Sequence, residues 1–181
     1  MNFKELQTDR LHLRQLLESD VEEIFFLRSD SNQLKYLDRD PAVDKEDALD
    51  WIRMINNLQA KNESYTWAIC LKSNPKLIGT FCFWNIQKQH YRAEIGYNLH
   101  PDYQGKGLMV ECLQSALSFG FEELKFHSVE ANVNPANEKS IKLLLRLKFV
   151  KEAHFKENYF YDGKFIDSAI YCLRCTEHLK S

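Results

Sequence analysis

Apolar and polar residues alternate with two different periods along this chain of 181 residues. A period of about two is typical of half-buried strands, and helical spacing is typical of surface helices. We predict about seven strands, at 10–16 ("RLHLRQL"), 64–71, 77–86, 92–99 and 127–133, with two more between Phe149 and Cys175 joined near Asp162-Gly163. We predict four helices, at 21–28, 46–59, 106–123 and 134–149.

The order of these elements, β-α-α-β-β-β-α-β-α-β-β, indicates an α/β chain. Antiparallel hairpins come first, then two βα units, then a last hairpin. This order predicts one mixed, mostly antiparallel sheet with helices on its faces. No repeat or low-complexity linker interrupts the pattern, so we expect a single domain spanning residues 1–181.

Charge and composition narrow the function classes. The 24 basic residues are interspersed with 26 acidic ones and the formal net charge is −2. No basic stripe is present, which disfavours nucleic-acid binding. No apolar segment reaches the roughly 18 residues of a membrane span, and no leader with an apolar core is evident. We therefore expect a cytoplasmic protein that does not bind membranes. The five cysteines lie in apolar segments, as buried reduced thiols do.

A glycine-rich turn, "HPDYQGKGLM" (100–109), stands between a predicted strand and a predicted helix. It lacks the lysine–hydroxyl pair of a P-loop and the third glycine of a dinucleotide fingerprint. Two interpretations stay open. The glycines serve chain geometry alone, or the backbone N–H groups of the turn hold a pyrophosphate at the helix start. The second interpretation names as cofactor-binding residues Gln104, Gly105, Lys106, Gly107, Leu108 and Met109.

Four segments stand out along the chain, in the order "TDRLHLRQLLESD", "EIGYNLHPDYQGKGLM", "VNPANEKSIKLLLRLKFV" and "YDGKFIDSAIYCL". Together and in this order they resemble the GNAT superfamily of acetyl-CoA-dependent N-acetyltransferases. Within the superfamily the chain is similar to the RimJ/RimL-type group, which acetylates N-terminal amines of ribosomal proteins. Two residues differ from the pattern of the superfamily. Met109 stands where Ala or Gly is frequent, and Lys148 stands where a glycine usually precedes the phenylalanine.

The resemblance implies a fold, a cosubstrate and a cofactor groove. The expected sheet has a splayed strand pair, and acetyl-CoA lies in the gap without any metal. Backbone groups near Tyr97 and Leu99 pair with the pantetheine arm as another strand does. One N–H of that stretch donates to the developing oxyanion. Asn137, at the start of the last predicted helix, is expected to contact the cofactor.

Two catalytic side chains are expected from the chemistry of acyl transfer to an amine. Glu94 faces opposite to its apolar neighbours on its strand, and partial burial beside Tyr97 and Trp84 would raise its pKa toward neutrality, as a general base requires. A structural glutamate with a water relay is the alternative. The resemblance places the usual tyrosine acid at Leu144, so it is absent here. Ser140 is the expected acid, and helix capping with Asn137 is its alternative.

Three further hypotheses concern the acceptor and the remaining motifs. We expect direct transfer in a ternary complex to a primary amine, most plausibly a protein N-terminus, by a monomer or homodimer. A small amine (polyamine, amino acid or aminoglycoside) and a non-catalytic acyl-CoA-binding module are the rivals. Residues 159–161 either line the acceptor groove or pack across strands. The lone pair Cys172 and Cys175 does not predict a zinc or redox site.

Overall fold

The computed structural model describes residues 3–37 and 39–178. Its strands are β1 (Leu6–Gln7), β2 (Leu11–Arg14), β3 (Tyr65–Leu71), β4 (Asn74–Gln87), β5 (Arg92–Leu99), β6 (Ser128–Val133), β7 (Val150–Tyr161) and β8 (Lys164–Arg174). Its α-helices are α1 (Val21–Ser29), α2 (Ser31–Leu34), α3 (Lys45–Ala60), α4 (Leu108–Glu122), α5 (Glu138–Arg146) and α6 (Cys175–His178). Every predicted element is present, and β1, α2 and α6 are additional short elements.

The eight strands form one sheet in the order β1-β2-β3-β4-β5-β6-β8-β7. All neighbours are antiparallel except β5 and β6, which confirms the predicted mixed and mostly antiparallel sheet. The parallel pair is short. Its register covers only Arg92↔Ser128, Ala93↔Val129 and Glu94↔Glu130. Beyond these three pairs the two strands continue without pairing to each other, so the expected splayed pair is present.

Helices cover both faces of the sheet because each face is apolar. On one face the stripe of α4 packs on Trp67, Phe81 and Phe83, all fully buried. On the other face α1 and α3 bury Ile24 and Ile52 in a second cluster. Fully burying an apolar side chain of this size contributes roughly 1.5–3 kcal/mol. The buried α4 stripe itself consists of Leu108, Cys112, Leu113, Ala116 and Leu117.

Lys148, which stands where the family usually has glycine, occupies a left-handed backbone position. After α5 the amide of Phe149 donates to the Leu144 carbonyl at 3.0 Å, and the amide of Lys148 donates to the Leu145 carbonyl at 3.1 Å. This is a Schellman motif, whose C′ residue adopts a left-handed conformation that glycine suits best. Lys148 has φ of 69° at this position. The chain therefore keeps the turn geometry although it carries a side chain there.

Within the part of the chain that the structure describes, no helix is both long enough and apolar enough to cross a bilayer.

Candidate active site

The opening between β5 and β6 presents backbone groups of β5. The His100 amide donates to the Ile78 carbonyl of the neighbouring strand at 2.8 Å. Antiparallel neighbours alternate between hydrogen-bonded and non-hydrogen-bonded pairs. Leu99 and Tyr97, which pair with β4 in register, are therefore at positions whose N–H and C=O groups face away from β4. These groups face the opening, where an extended ligand arm can pair with the N–H groups of both residues and with the Tyr97 carbonyl; the Leu99 carbonyl already accepts from Nε2 of Gln104 at 2.9 Å.

The glycine turn lies next to this opening and begins α4. Gly105 and Gly107 have φ of 73° and 76°, and Gly107 is the N-cap of α4. The helix therefore starts at Leu108, two residues later than predicted. The first intrahelical bond runs from the Glu111 amide to the Gly107 carbonyl at 3.1 Å. Among the described residues, the amides of 105–110 have no acceptor, so they can serve an anion.

Gln104 has an internal role in the turn. Its backbone amide donates to the Pro101 carbonyl at 3.1 Å, and its side-chain Nε2 donates to the Leu99 carbonyl at 2.9 Å. The expected cradle of amides from Gln104 to Met109 is therefore corrected at its first member, because that N–H is already used. The amides of Lys106 and Met109 have no acceptor in the described chain, so their place in the cradle stays a prediction. The side chain of Gln104 fixes the turn against the end of β5.

A second support for the turn comes from the other end of the chain. Arg10 donates through Nη1 to the Lys106 carbonyl at 3.0 Å and through Nε to Oε2 of Glu111 at 2.6 Å. Thr8 also donates to Glu111. Burial disfavours the charged form of Glu111, but the hydrogen bonds from Thr8 and Arg10 outweigh burial and lower its pKa. This support was not predicted, although Thr8 and Arg10 lie in "TDRLHLRQLLESD", the first of the four segments that resemble the family.

Glu94 lies at the mouth of the opening. It is the register partner of Trp84, and a bulge in β4 between Trp84 and Gln87 follows. Asn85, in the bulge, has φ of 47° and hydrogen-bonds the Glu94 side chain. Burial raises the pKa of Glu94 to about 7, while the Asn85 hydrogen bond lowers it and the charge of Glu130 raises it. A carboxyl with such a pKa is suited to accept a proton near neutral pH.

Tyr97 does not contribute to that burial as expected. Side chains alternate between faces along a strand, so Tyr97 and Glu94, three positions apart, face opposite sides of the sheet. The Tyr97 hydroxyl lies 2.7 Å from Oγ of Ser140, which is on α5. Burial raises the pKa of Tyr97 to about 12, against the opposing effect of the Ser140 hydrogen bond. The sequence analysis therefore did not predict this pair of hydroxyl groups, which joins β5 to α5.

Asn137 caps α5. Its Oδ1 accepts the amide hydrogen bond of Ser140 at 3.1 Å. The capping interpretation thus holds for Asn137 and the Ser140 backbone, while the Ser140 hydroxyl is engaged by Tyr97. Leu144, at the position of the usual tyrosine, has no exposed surface. The contact of Asn137 with the cofactor stays a prediction.

Other candidate groups lie apart from this opening. Cys172 is buried in β8 and Cys175 begins α6, and both are free thiols. In the β7–β8 hairpin, the rings of Phe160 and Phe165 are 5.0 Å apart across the strands. The Tyr161 hydroxyl lies 3.5 Å from Oδ1 of Asp40. Cross-strand packing therefore describes Phe160, and Tyr161 reaches toward the segment after α2.

Comparison with known proteins agrees with this geometry. A family described as "Acetyltransferase (GNAT) domain" matches residues 10–150. The N-acetyltransferase p20 of Bacillus licheniformis is 35% identical over 173 residues, covering 96% of this chain and 97% of that protein. The [ribosomal protein uS5]-alanine N-acetyltransferase of Escherichia coli is 31% identical over 121 residues, covering 66% and 62%. The structure of spermidine N-acetyltransferase from Vibrio cholerae with CoA and spermine superimposes with a TM-score of 0.83 at 25% identity, covering 93% and 98%.

Proposed function

This chain belongs to the GNAT family of acetyltransferases and uses acetyl-CoA as cosubstrate, and we propose that its acceptor is the α-amine of a protein N-terminus. The acetyl-CoA-dependent N-acetyltransferase activity follows from the family and from relatives that carry the same activity in their names. The RimJ/RimL-type assignment, the acceptor and the roles of individual residues are the parts that we propose.

The observation that carries the site assignment is the position of two proton-exchanging groups on opposite faces of one opening. Glu94 lies on one face of β5, and the Tyr97–Ser140 pair lies on the other. Because β5 and β6 pair only as far as Glu94 and Glu130, a ligand in the opening is accessible from both faces. A base can therefore act on the amine side while an acid acts on the sulfur side.

Each residue around the opening has a separate role in the proposed acetyl transfer. Glu94 accepts the proton of the attacking amine, directly or through a water molecule. A free α-amine has a pKa near 8, so a base with a pKa of about 7 is well matched to it. The nitrogen forms a bond to the acetyl carbonyl carbon as the carbon–sulfur bond breaks. A backbone N–H of Tyr97 or Leu99 donates to the carbonyl oxygen.

The departing thiolate receives its proton from the hydroxyl pair. Ser140 donates to the sulfur, and Tyr97 donates in turn to Ser140, since the two oxygens are 2.7 Å apart. Solvent then returns a proton to Tyr97 and accepts the proton that Glu94 took from the amine, which restores both groups. Tyr97 thereby supplies from β5 the phenol that other family members place on the last helix. The amides of the glycine turn hold the pyrophosphate, with the α4 dipole favouring its negative charge. Arg10 and Glu111 hold that turn in place.

Two relatives support different acceptors. The similarity to the uS5-alanine enzyme favours a protein N-terminus, whereas a spermidine N(1)-acetyltransferase of Vibrio cholerae, 26% identical over 158 residues, favours a polyamine as the alternative. A non-catalytic acyl-CoA-binding module is the third hypothesis. The oligomeric state, the single-domain organisation and the cellular location remain predictions.

Thiol release separates these alternatives. Peptides with varied N-termini are compared with spermidine, free amino acids and aminoglycosides at a fixed acetyl-CoA concentration. We expect the highest kcat/KM with a peptide, and a higher value with spermidine would refute the protein acceptor. Acetyl-CoA at about 100 times its Kd should stabilise the fold by roughly 2.7 kcal/mol. Stabilisation without any thiol release would favour the binding module.

A further inference from the structure

An arginine at the end of α1 lies over the face of the sheet that carries Glu94. The Nδ2 atom of Asn98 donates to the Leu27 carbonyl at 3.4 Å, which places the end of α1 above Asn98 of β5. Arg28 follows Leu27 directly. Side chains at positions 94, 96 and 98 share a face because the period of a strand is two. We call this row of positions, from Glu94 to Asn98, the groove floor. Arg28 is thus near its far end, at Asn98.

A second arginine lies over the middle of the same floor. Arg39 is close enough to the Cys82 thiol of β4 to favour its thiolate, although burial dominates and raises the pKa of that thiol to about 12. Cys82 is on the Glu94 face, since a Cβ added at Gly96 would be 3.1 Å from its Sγ. Gly96 is two residues from Glu94, about 7 Å along the strand. The Ala42 amide donates to the Arg28 carbonyl at 2.8 Å, which holds the segment that follows Arg39 beside Arg28. Arg39 therefore lies on the same face of the sheet as the proposed base.

Neither guanidinium is fully satisfied. Within 3–37 and 39–178, the Nε atoms of Arg28 and Arg39 are buried without a hydrogen-bond partner. Arg28 stacks on Trp51, with 4.7 Å from Cζ to the ring centroid. Burial and then the charge of Arg39 lower the pKa of Arg28 to about 10, while Asp47 raises it. Asp47 also accepts the Val43 amide at 2.8 Å. Two cations are thus held together in a partly buried position.

We propose that Arg39, with Arg28 beside it, binds a carboxylate of the acceptor, so that the preferred acceptor is an amine that also carries a negative charge. This inference rests on the proposed acetyltransferase function and names the acceptor class for the same site. A peptide with an acidic first residue or a free amino acid carries such a carboxylate. Buried guanidinium groups favour planar carboxylates, with which they form paired hydrogen bonds. A polyamine would instead bring further positive charge to two arginines.

Matched acceptors test the inference without any substitution. Two peptide amides that differ only in Glu or Gln as first residue are compared by kcat/KM, beside free glutamate, glutamate α-amide and spermidine. We expect the peptide that begins with Glu, or free glutamate, to exceed its amide partner by on the order of tenfold or more, as charged hydrogen bonds typically give. The peptide arm and the free-amino-acid arm distinguish the two sources of the carboxylate.

Variants then identify the residue. Arg39→Gln should remove the preference for the carboxylate acceptor over its amide, and Arg39→Lys should keep part of it. Arg53→Gln is the control, because Arg53 is exposed on α3 and pairs with Glu18 at 3.0 Å. Equal rates for wild-type protein with the Glu and Gln peptides and with glutamate and its amide, or a preference for spermidine, would refute the inference and leave the acetyltransferase function standing.

Failure of the proposed function gives a different result. If no amine releases thiol, calorimetry of the same acceptor pairs with CoA-loaded protein still decides the carboxylate site. Tighter binding of a carboxylate acceptor than of its amide, lost in Arg39→Gln and kept in Arg53→Gln, supports the site. Equal affinities of the carboxylate and amide partners refute it.

Discussion

Replacing Glu94 by Gln removes the proposed base while keeping the shape and hydrogen-bonding capacity of the side chain. In the wild-type protein the pKa of Glu94 rises from 4.5 to about 7, because the carboxyl is partly buried. The native state therefore retains a proton that the unfolded chain has lost between pH 4.5 and 7. Stability falls as pH rises through this window and is constant above it, because the native state binds more protons than the unfolded state.

The size of this effect follows from the shift. A rise in pKa from 4.5 to about 7 corresponds to roughly 3 kcal/mol at 1.36 kcal/mol per pKa unit. Glu94 is only partly buried, so solvent screening reduces the figure, and we expect about 2 kcal/mol. The glutamine side chain in Glu94→Gln cannot ionise. It should therefore be about 2 kcal/mol more stable than the wild type at pH 8 and equally stable at pH 4, with the difference growing between them.

Urea denaturation at pH 4, 6 and 8 measures this difference, and initial rates measure the loss of function. The same pKa should appear as an acid limb near pH 7 in kcat/KM of the wild type. Glu94→Gln should lose at least about a hundredfold in kcat, the ordinary contribution of a general base, with unchanged affinity for acetyl-CoA. Asn85→Gly, which removes the opposing hydrogen bond at a left-handed position, should move the limb to higher pH. A stability difference that does not vary with pH would refute the reasoning.

Further predictions concern the turn, the acid and the helix end. Gly107→Ala and Gly163→Ala should each cost about 1–2 kcal/mol of stability, since both positions have left-handed φ, but only Gly107→Ala should raise the Kd of CoA in titration calorimetry. Tyr97→Phe should lower kcat by about tenfold or more with little change in the KM for acetyl-CoA; an unchanged kcat would remove Tyr97 from the proton path. Lys148→Gly should raise the unfolding free energy by about 1 kcal/mol, and a loss of stability in urea would contradict this account of the Schellman motif. EDTA should leave thiol release intact, and an EDTA-sensitive rate would overturn the metal-free mechanism.

Local patterns were enough to predict most of the fold. The alternation in "RLHLRQL" and the stripe of α4 reflect residues that contact the core, so each element carries its own signal. The pair Leu6–Gln7 carries none, because two residues cannot show a period. The start of α4 was predicted two residues early, since Lys106 and Gly107 are compatible with a helix until the left-handed φ of Gly107 is known.

The site was predictable only in part, because its members are distant in sequence. Glu94 could be identified by its alternation with buried neighbours. The Tyr97–Ser140 contact joins residues 43 apart, and the Thr8–Glu111 contact joins residues 103 apart. Contacts at such separations leave no periodic signal in one sequence. Asn85 is a milder case, because asparagine favours left-handed conformations but only the pairing of β4 with β5 brings it to Glu94.

The short parallel pairing of β5 with β6 also has a mechanical consequence. In the described chain, three register pairs are the only strand pairing between the part of the sheet from β1 to β5 and the part from β6 to β8. Backbone hydrogen bonds therefore join these two parts of the sheet at one end of β5 and β6 only. A pantetheine arm bound as we propose would continue this pairing through backbone hydrogen bonds with Tyr97 and Leu99. Cosubstrate binding would then add hydrogen bonds between two parts of a sheet that share one apolar core, and slower amide exchange should spread to both parts.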